Sequence, residues 1–331
     1  MKEEKNLGLE ALRGIAAFGI VACHLDLLPL TFGGWALRAL CDMNVGLFAA
    51  LSGYLMFTRS VDTPLIDYVW QRARRLLPVY FLWTILYILF GLIFDAAIRH
   101  SLNPKWYDPA YYPSVIFQGR AAGHLWFLIS LFYCQVLFHP LQRAINAFGK
   151  PRCAFLLELM IGCVCVTASA FLRDFWYGTY LLRPFGFLVS GCAIATARAQ
   201  ISEGRRFLVP SLQWLWGIVT VLAIGIHYVF AGRIPVFIRD WLVAIPLLLF
   251  FLGASRVFAR PSLATFARLL GLTSLGVYLI HPVFAQVFKL IFIRVFSAPF
   301  GPIPLALSWL GTWLCAFLAT LVFMRLKNVK R

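Results

Sequence analysis

Ten apolar stretches, most of them as long as a bilayer is thick, follow one another along this chain of 331 residues. They lie at about 11–30, 43–58, 76–98, 124–141, 153–172, 180–197, 207–231, 235–254, 269–293 and 303–324. About 20 apolar residues carry a helix across the hydrocarbon core. Backbone polar groups have no water to bond there, so each segment must close its own hydrogen bonds, and a helix does so. The expected fold is therefore all-α, a polytopic bundle of about ten transmembrane helices forming one membrane domain over residues 1–331. Composition agrees: 61% of residues are hydrophobic and 13% charged, against about 45–50% and 25% in soluble domains.

The formal net charge is +17. A nucleic-acid binder would gather such charge on a soluble face. Here the basic residues sit between the apolar runs, so lipid headgroups and an anionic small molecule are the expected partners, and nucleic acid is not. With the N-terminus inside, 19 of the 30 Lys and Arg residues fall in cytoplasmic segments and nine outside. The positive-inside rule then places both termini in the cytoplasm. The opening MKEEKN leads into an apolar stretch carrying Arg13, His24 and Asp26, which reads as an uncleaved first span rather than a signal peptide. The eight cysteines show no CxxC spacing, so neither a metal site nor disulfides are expected. No P-loop or dinucleotide fingerprint occurs.

Ionisable groups inside a span cost about 2.5–3.5 kcal/mol each on insertion scales and mark function. Arg13 and His24 stand eleven residues apart, about three turns, so they share one helix face roughly 16 Å apart along the axis. A histidine deep in a bundle suits proton transfer near neutral pH. Asp26 lies about 200° around the helix from His24, by the 100° per residue that follows from helix geometry. At the entry to the third run, Arg72, Arg74 and Arg75 make a strong positive field, and guanidinium forks bind phosphates such as those of a CoA moiety. His124 and Trp126, where the chain re-enters after its longest outer loop (about 99–123), offer polar and aromatic contacts of the kind that hold sugars. Ser52, beside Gly53, and His281, beside a helix-kinking Pro282, complete the candidates. Ser52 and Gly53 also fit close helix packing, and His281 also fits the role of bonding a freed carbonyl.

Five segments resemble the acyltransferase type 3 family of integral membrane proteins: LEALRGIAAFGIVACH (9–24), NVGLFAALSGYL (44–55), RARRLLPVY (72–80), GHLWFLISLFY (123–133) and TSLGVYLIHP (273–282). The resemblance implies an O-acyltransferase of a bacterial inner membrane that moves an acyl group, most often acetyl from acetyl-CoA, onto a hydroxyl of an exopolysaccharide, O-antigen or lipid-linked glycan. By the same resemblance Arg13 and His24 match the family's essential pair, and Arg72 and Arg75 its donor-side motif. Arg74 would add to the donor contact. His124, Trp126, Asp26, His281 and Ser52 would face the acceptor, and no metal is implied. Two departures are Ala49-Ala50, where many members carry bulkier residues, and the lack of a fused extracytoplasmic domain. A transporter or flippase of lipid-linked sugars is the alternative, but it predicts inverted repeats that the chain does not display.

Overall fold

The structure, a computed structural model, describes residues 6–24, 32–57, 63–147, 151–202, 210–230, 233–296 and 302–329. These residues are almost entirely helical, with no strand among them. Eleven α-helices follow in chain order: α1 (Leu7–Cys23), α2 (Phe32–Phe57), α3 (Leu65–Phe94), α4 (Tyr111–Gln118), α5 (Trp126–Ala147), α6 (Pro151–Phe171), α7 (Arg183–Ser202), α8 (Pro210–Val229), α9 (Val236–Gly253), α10 (Pro261–Phe296) and α11 (Pro302–Val329).

The described part of each apolar run falls largely within one helix, and α4 is an additional short helix in the segment between α3 and α5. Among the described residues, six helical stretches are long and apolar enough to cross a membrane: Leu65–Ala97, Cys153–Phe171, Gly178–Gln200, Val236–Gly253, Pro261–Ile291 and Ala306–Leu326. Met43–Met56 and Gln213–His227 are shorter apolar helices. The surface confirms the solvent these helices expect. On α11, Leu307, Leu310, Leu314, Leu318 and Val322 are all exposed and recur at helical spacing as one outward stripe. Phe81, Leu82, Ile85, Leu89 and Ile93 do the same on α3. An outer face this apolar belongs in lipid, and the chain is a multi-pass membrane protein.

Three helices begin well before their apolar runs. α2 starts at Phe32 rather than 43, α3 at Leu65 rather than 76, and α10 at Pro261 rather than 269. The added turns contain Gln, Arg, Ala and Leu, which are good helix formers that a hydropathy reading passes over. The arginine cluster therefore lies inside α3, two turns from its start, and not in a loop before it.

The chain divides into two compact units, residues 1–52 with 198–331 and residues 53–197. In the first unit α1 lies against α10. Asn6 caps α1, its side chain accepting the Leu9 amide at 3.2 Å, and Glu10 sits in the first turn, where the helix dipole favours a carboxylate. Glycines admit the close approach: a Cβ at Gly14 would overlap Leu270 on α10, and one at Gly271 would overlap Glu10. Ala17, Val21, Val277, Ala285 and Ala316 form a buried cluster joined by Trp309, Trp313 and Phe317. Trp309 also donates its Nε1–H to the Phe18 carbonyl at 3.0 Å, tying α11 to α1.

In the second unit α3 and α5 run antiparallel, since Tyr68 meets His139 at one end and Tyr87 meets His124 at the other. α7 meets Gly53 so closely that a Cβ there would overlap the Leu188 carbonyl oxygen, and the Cys192 thiol donates to the Gly53 carbonyl at 3.0 Å. The segment between α3 and α5 is folded around Asp95, whose carboxylate accepts the Trp106 indole N–H at 2.8 Å and the Asn103 amide at 3.3 Å. Tyr80 secures α4 by donating to the Ile116 carbonyl at 3.0 Å.

Candidate active site

α1 ends at His24, the C-cap residue, whose backbone N–H returns to the Ala22 and Val21 carbonyls. The same helix that carries Arg13 thus delivers the imidazole at its far end, half-buried. The His24 ring stands 5.1 Å, centroid to centroid, from that of His281 on α10. His281 is fully buried. Its Nδ1 lies 2.9 Å from the Tyr278 carbonyl and 3.2 Å from that of Val277. Carbonyl oxygens only accept, so Nδ1 carries the proton and Nε2 is left as the basic nitrogen. Pro282 explains this arrangement. It has no N–H to give to the carbonyl four residues back, which is that of Tyr278, and His281 supplies the missing donor. His281 thus bonds the Tyr278 carbonyl, the structural role expected of it, and its ring neighbours that of His24.

Arg13 is half-buried and holds Glu10 at 3.5 Å, an i,i+3 ion pair. Glu10 is not among the residues singled out from the sequence. Asn44 on α2, buried and set against Gly19 of α1, was likewise not singled out. Ser52 is half-buried at the end of this unit. Asp26 lies outside the described residues.

A second buried polar group in this unit also went unnoticed. Arg239 on α9 donates from Nε to the Ile234 carbonyl at 2.8 Å and from Nη1 to the His227 carbonyl at 3.0 Å. Asp240, with no exposed surface, sits 4.0 Å from His227 Nδ1. Because Arg239 falls at the edge of an apolar run, it read as a loop charge. In the structure it fastens the turn between α8 and α9.

In the second unit the three arginines have different surroundings. Arg72 is buried and stacks over the Tyr68 ring at 4.6 Å. Arg74 is exposed and stacks over Trp70 at 4.6 Å. Arg75 is exposed. Arg72 and Arg75, at i and i+3, lie about 60° apart on α3, and the boundary of the packed face runs between them. His124 is buried, with its ring 5.0 Å from that of Tyr87 in an edge-to-face contact. Trp126 stands half-buried against Tyr180 at 4.7 Å, and Ser130 on the next turn donates to the Tyr180 carbonyl. Beyond them the segment between α3 and α5 carries Tyr107, 69% exposed, and Tyr112, 42% exposed. Burial and the neighbouring Tyr112 push the Tyr111 hydroxyl pKa above its ordinary value, so it stays a neutral donor, here to the Arg120 carbonyl at 3.1 Å. Among the described residues no three His, Cys, Asp or Glu side chains gather as metal ligands would.

Comparison with known proteins adds to this geometry. A Bacillus subtilis (strain 168) protein named "Putative peptidoglycan O-acetyltransferase YrhL" is 24% identical over 219 residues, which are 57% of this chain and 32% of that protein. The chain thus spans about a third of the length of that curated relative. No solved structure matches. Residues 6–326 match the family described as Acyltransferase domain, nearly the whole chain, and the chain belongs to that family.

Proposed function

We propose that the protein is a membrane O-acyltransferase, taking acetyl or another acyl group from cytoplasmic acyl-CoA and placing it on a hydroxyl of a cell-surface or lipid-linked carbohydrate. The observation that carries this reading is the histidine pair: His24 at the end of α1, 5.1 Å from a His281 whose tautomer is set by backbone carbonyls. An imidazole beside another whose Nδ1–H is committed to backbone carbonyls is placed to accept a proton from a hydroxyl. The relative named for peptidoglycan O-acetylation supports a carbohydrate acceptor.

In this reading His24 is the general base. It takes the proton of the acceptor hydroxyl as the oxygen attacks the thioester carbonyl. The C–S bond then breaks, the ester forms, and the departing CoA thiolate takes the proton back from His24. Arg13, held by Glu10, supplies a fixed cation beside the path, where developing negative charge is worth most in a low dielectric. Arg72 is assigned to the donor phosphates, with Arg74 and Arg75 adding attraction. His124, Trp126 and the outer aromatic residues are assigned to the acceptor, as are Ser52 and Asp26. Ten spans and cytoplasmic termini in a bacterial inner membrane complete the proposal.

The test uses purified protein in liposomes with radiolabelled acetyl-CoA and glycan acceptors. His24→Ala should abolish transfer while leaving expression and insertion unchanged. Full activity in that variant removes His24 from the role of base. No acyl-CoA turnover by the wild type with any glycan would favour the transporter reading.

A further inference from the structure

In the second unit, buried polar side chains without partners collect on the face that α5 turns to α3. Gln135, His139 and Gln142 fall at i, i+4 and i+7, one helical stripe, and are 6%, 2% and 4% exposed. Gln135 Oε1, Gln142 Nε2 and both ring nitrogens of His139 lack a hydrogen-bond partner. The Thr63 backbone approaches the His139 ring without reaching bonding geometry. Arg72, 8% exposed, joins this stripe through a stack: its guanidinium lies 4.6 Å over Tyr68, whose ring lies 4.2 Å from that of His139. Its Nε also has no partner. An unmet buried polar group costs about 1–3 kcal/mol, and a bundle in lipid does not gather five such atoms on one helix pair without something to bond them.

The arrangement indicates what that something is. Gln135 and Gln142 are separated by about 10 Å along the helix axis, so the polar groups form a ladder rather than a cluster. A ladder suits an elongated ligand with spaced polar groups. A glutamine side chain both donates and accepts, which matches a secondary amide, and the guanidinium matches a phosphate. A sugar ring would instead need its contacts gathered about one point.

We infer that the face formed by Arg72, Gln135, His139 and Gln142 binds the phosphopantetheine arm of the acyl donor, the glutamines and His139 meeting its two amides and Arg72 its phosphate. This rests on the acyl-CoA reading above.

The experiment measures binding to purified protein by calorimetry with two probes. Acetyl-CoA carries the arm, and adenosine 3′,5′-bisphosphate lacks it. Gln135→Met and Gln142→Met, close in volume to the originals, should each weaken acetyl-CoA on the order of tenfold, the loss of one ligand hydrogen bond. Both should leave the bisphosphate within about twofold. His139→Gln, which keeps a donor and an acceptor, should retain more acetyl-CoA affinity than His139→Phe and guards against a variant that fails to fold. Equal weakening of both probes, or unchanged acetyl-CoA binding, overturns the inference. A wild type that binds neither probe instead overturns the acyl-CoA reading itself.

Discussion

Replacing Gly53 by alanine tests the packing that brings α2 against α7. A Cβ at that position would overlap the Leu188 carbonyl oxygen and stand 2.7 Å from the carbonyl carbon and 3.1 Å from the Cα, where ordinary contact begins at 3.4 Å. All three obstructing atoms are backbone, so no rotamer change relieves the clash, and α2 and α7 must separate. Overpacking a tight interface costs about 1–3 kcal/mol, and a backbone obstacle puts this site at the upper end. Against it stands the gain of about 1 kcal/mol for alanine over glycine within a helix. The expected result is a net loss of about 2 kcal/mol. Gly225 on α8 is the internal control, because a Cβ there meets nothing within 4 Å. Gly225→Ala should gain about 0.5–1 kcal/mol. The two variants therefore differ in sign. Thermal unfolding in one detergent, followed through tryptophan fluorescence, should place Gly53→Ala below the wild type and Gly225→Ala at or above it. A Gly53→Ala protein as stable as the wild type would refute the close approach of α7 on which this reasoning depends.

Arg72→Lys keeps the charge but loses the planar fork and its stacking on Tyr68. The KM for acetyl-CoA should rise about tenfold with kcat within about twofold, read from steady-state acetyl transfer. Trp106→Phe removes a buried donor from Asp95 and should cost the segment between α3 and α5 about 1.5–3 kcal/mol, seen as faster limited proteolysis between residues 99 and 123. Trp309→Phe deletes the bond to the Phe18 carbonyl and should lower stability by about 1 kcal/mol in thermal unfolding while transfer persists. His281→Leu removes the side-chain donor to the Tyr278 and Val277 carbonyls, so it should lose both thermal stability and activity. His281→Asn retains a donor and should lose less of each.

The helices were legible because lipid imposes one strong rule, and the described part of each apolar run falls largely within one helix. The starts of α2, α3 and α10 at Phe32, Leu65 and Pro261 were not, because turns rich in Arg, Gln, Ala and Leu can be helical without carrying a continuous apolar signal. His24 and Arg13 could be singled out because charge inside a span is costly on its own terms. The neighbour relation between His24 and His281 depends on how α1 packs on α10, some 257 positions away in sequence, and no local pattern records it. The α5 stripe was hidden for the opposite reason. Gln135, His139 and Gln142 look unremarkable singly, and their significance appears only when burial and missing partners are known.

The pairing of His281 with Pro282 has a consequence for how this site tolerates change. The imidazole points where it does because the main chain has left a vacancy one turn behind it. Alanine at 282 would hand the Tyr278 oxygen back to the backbone and set the ring loose to rotate. A side chain that cannot donate at 281 would remove the bond that this oxygen receives from the imidazole. Neither position can be exchanged profitably alone, so the two should be treated as one heritable unit when this chain is redesigned.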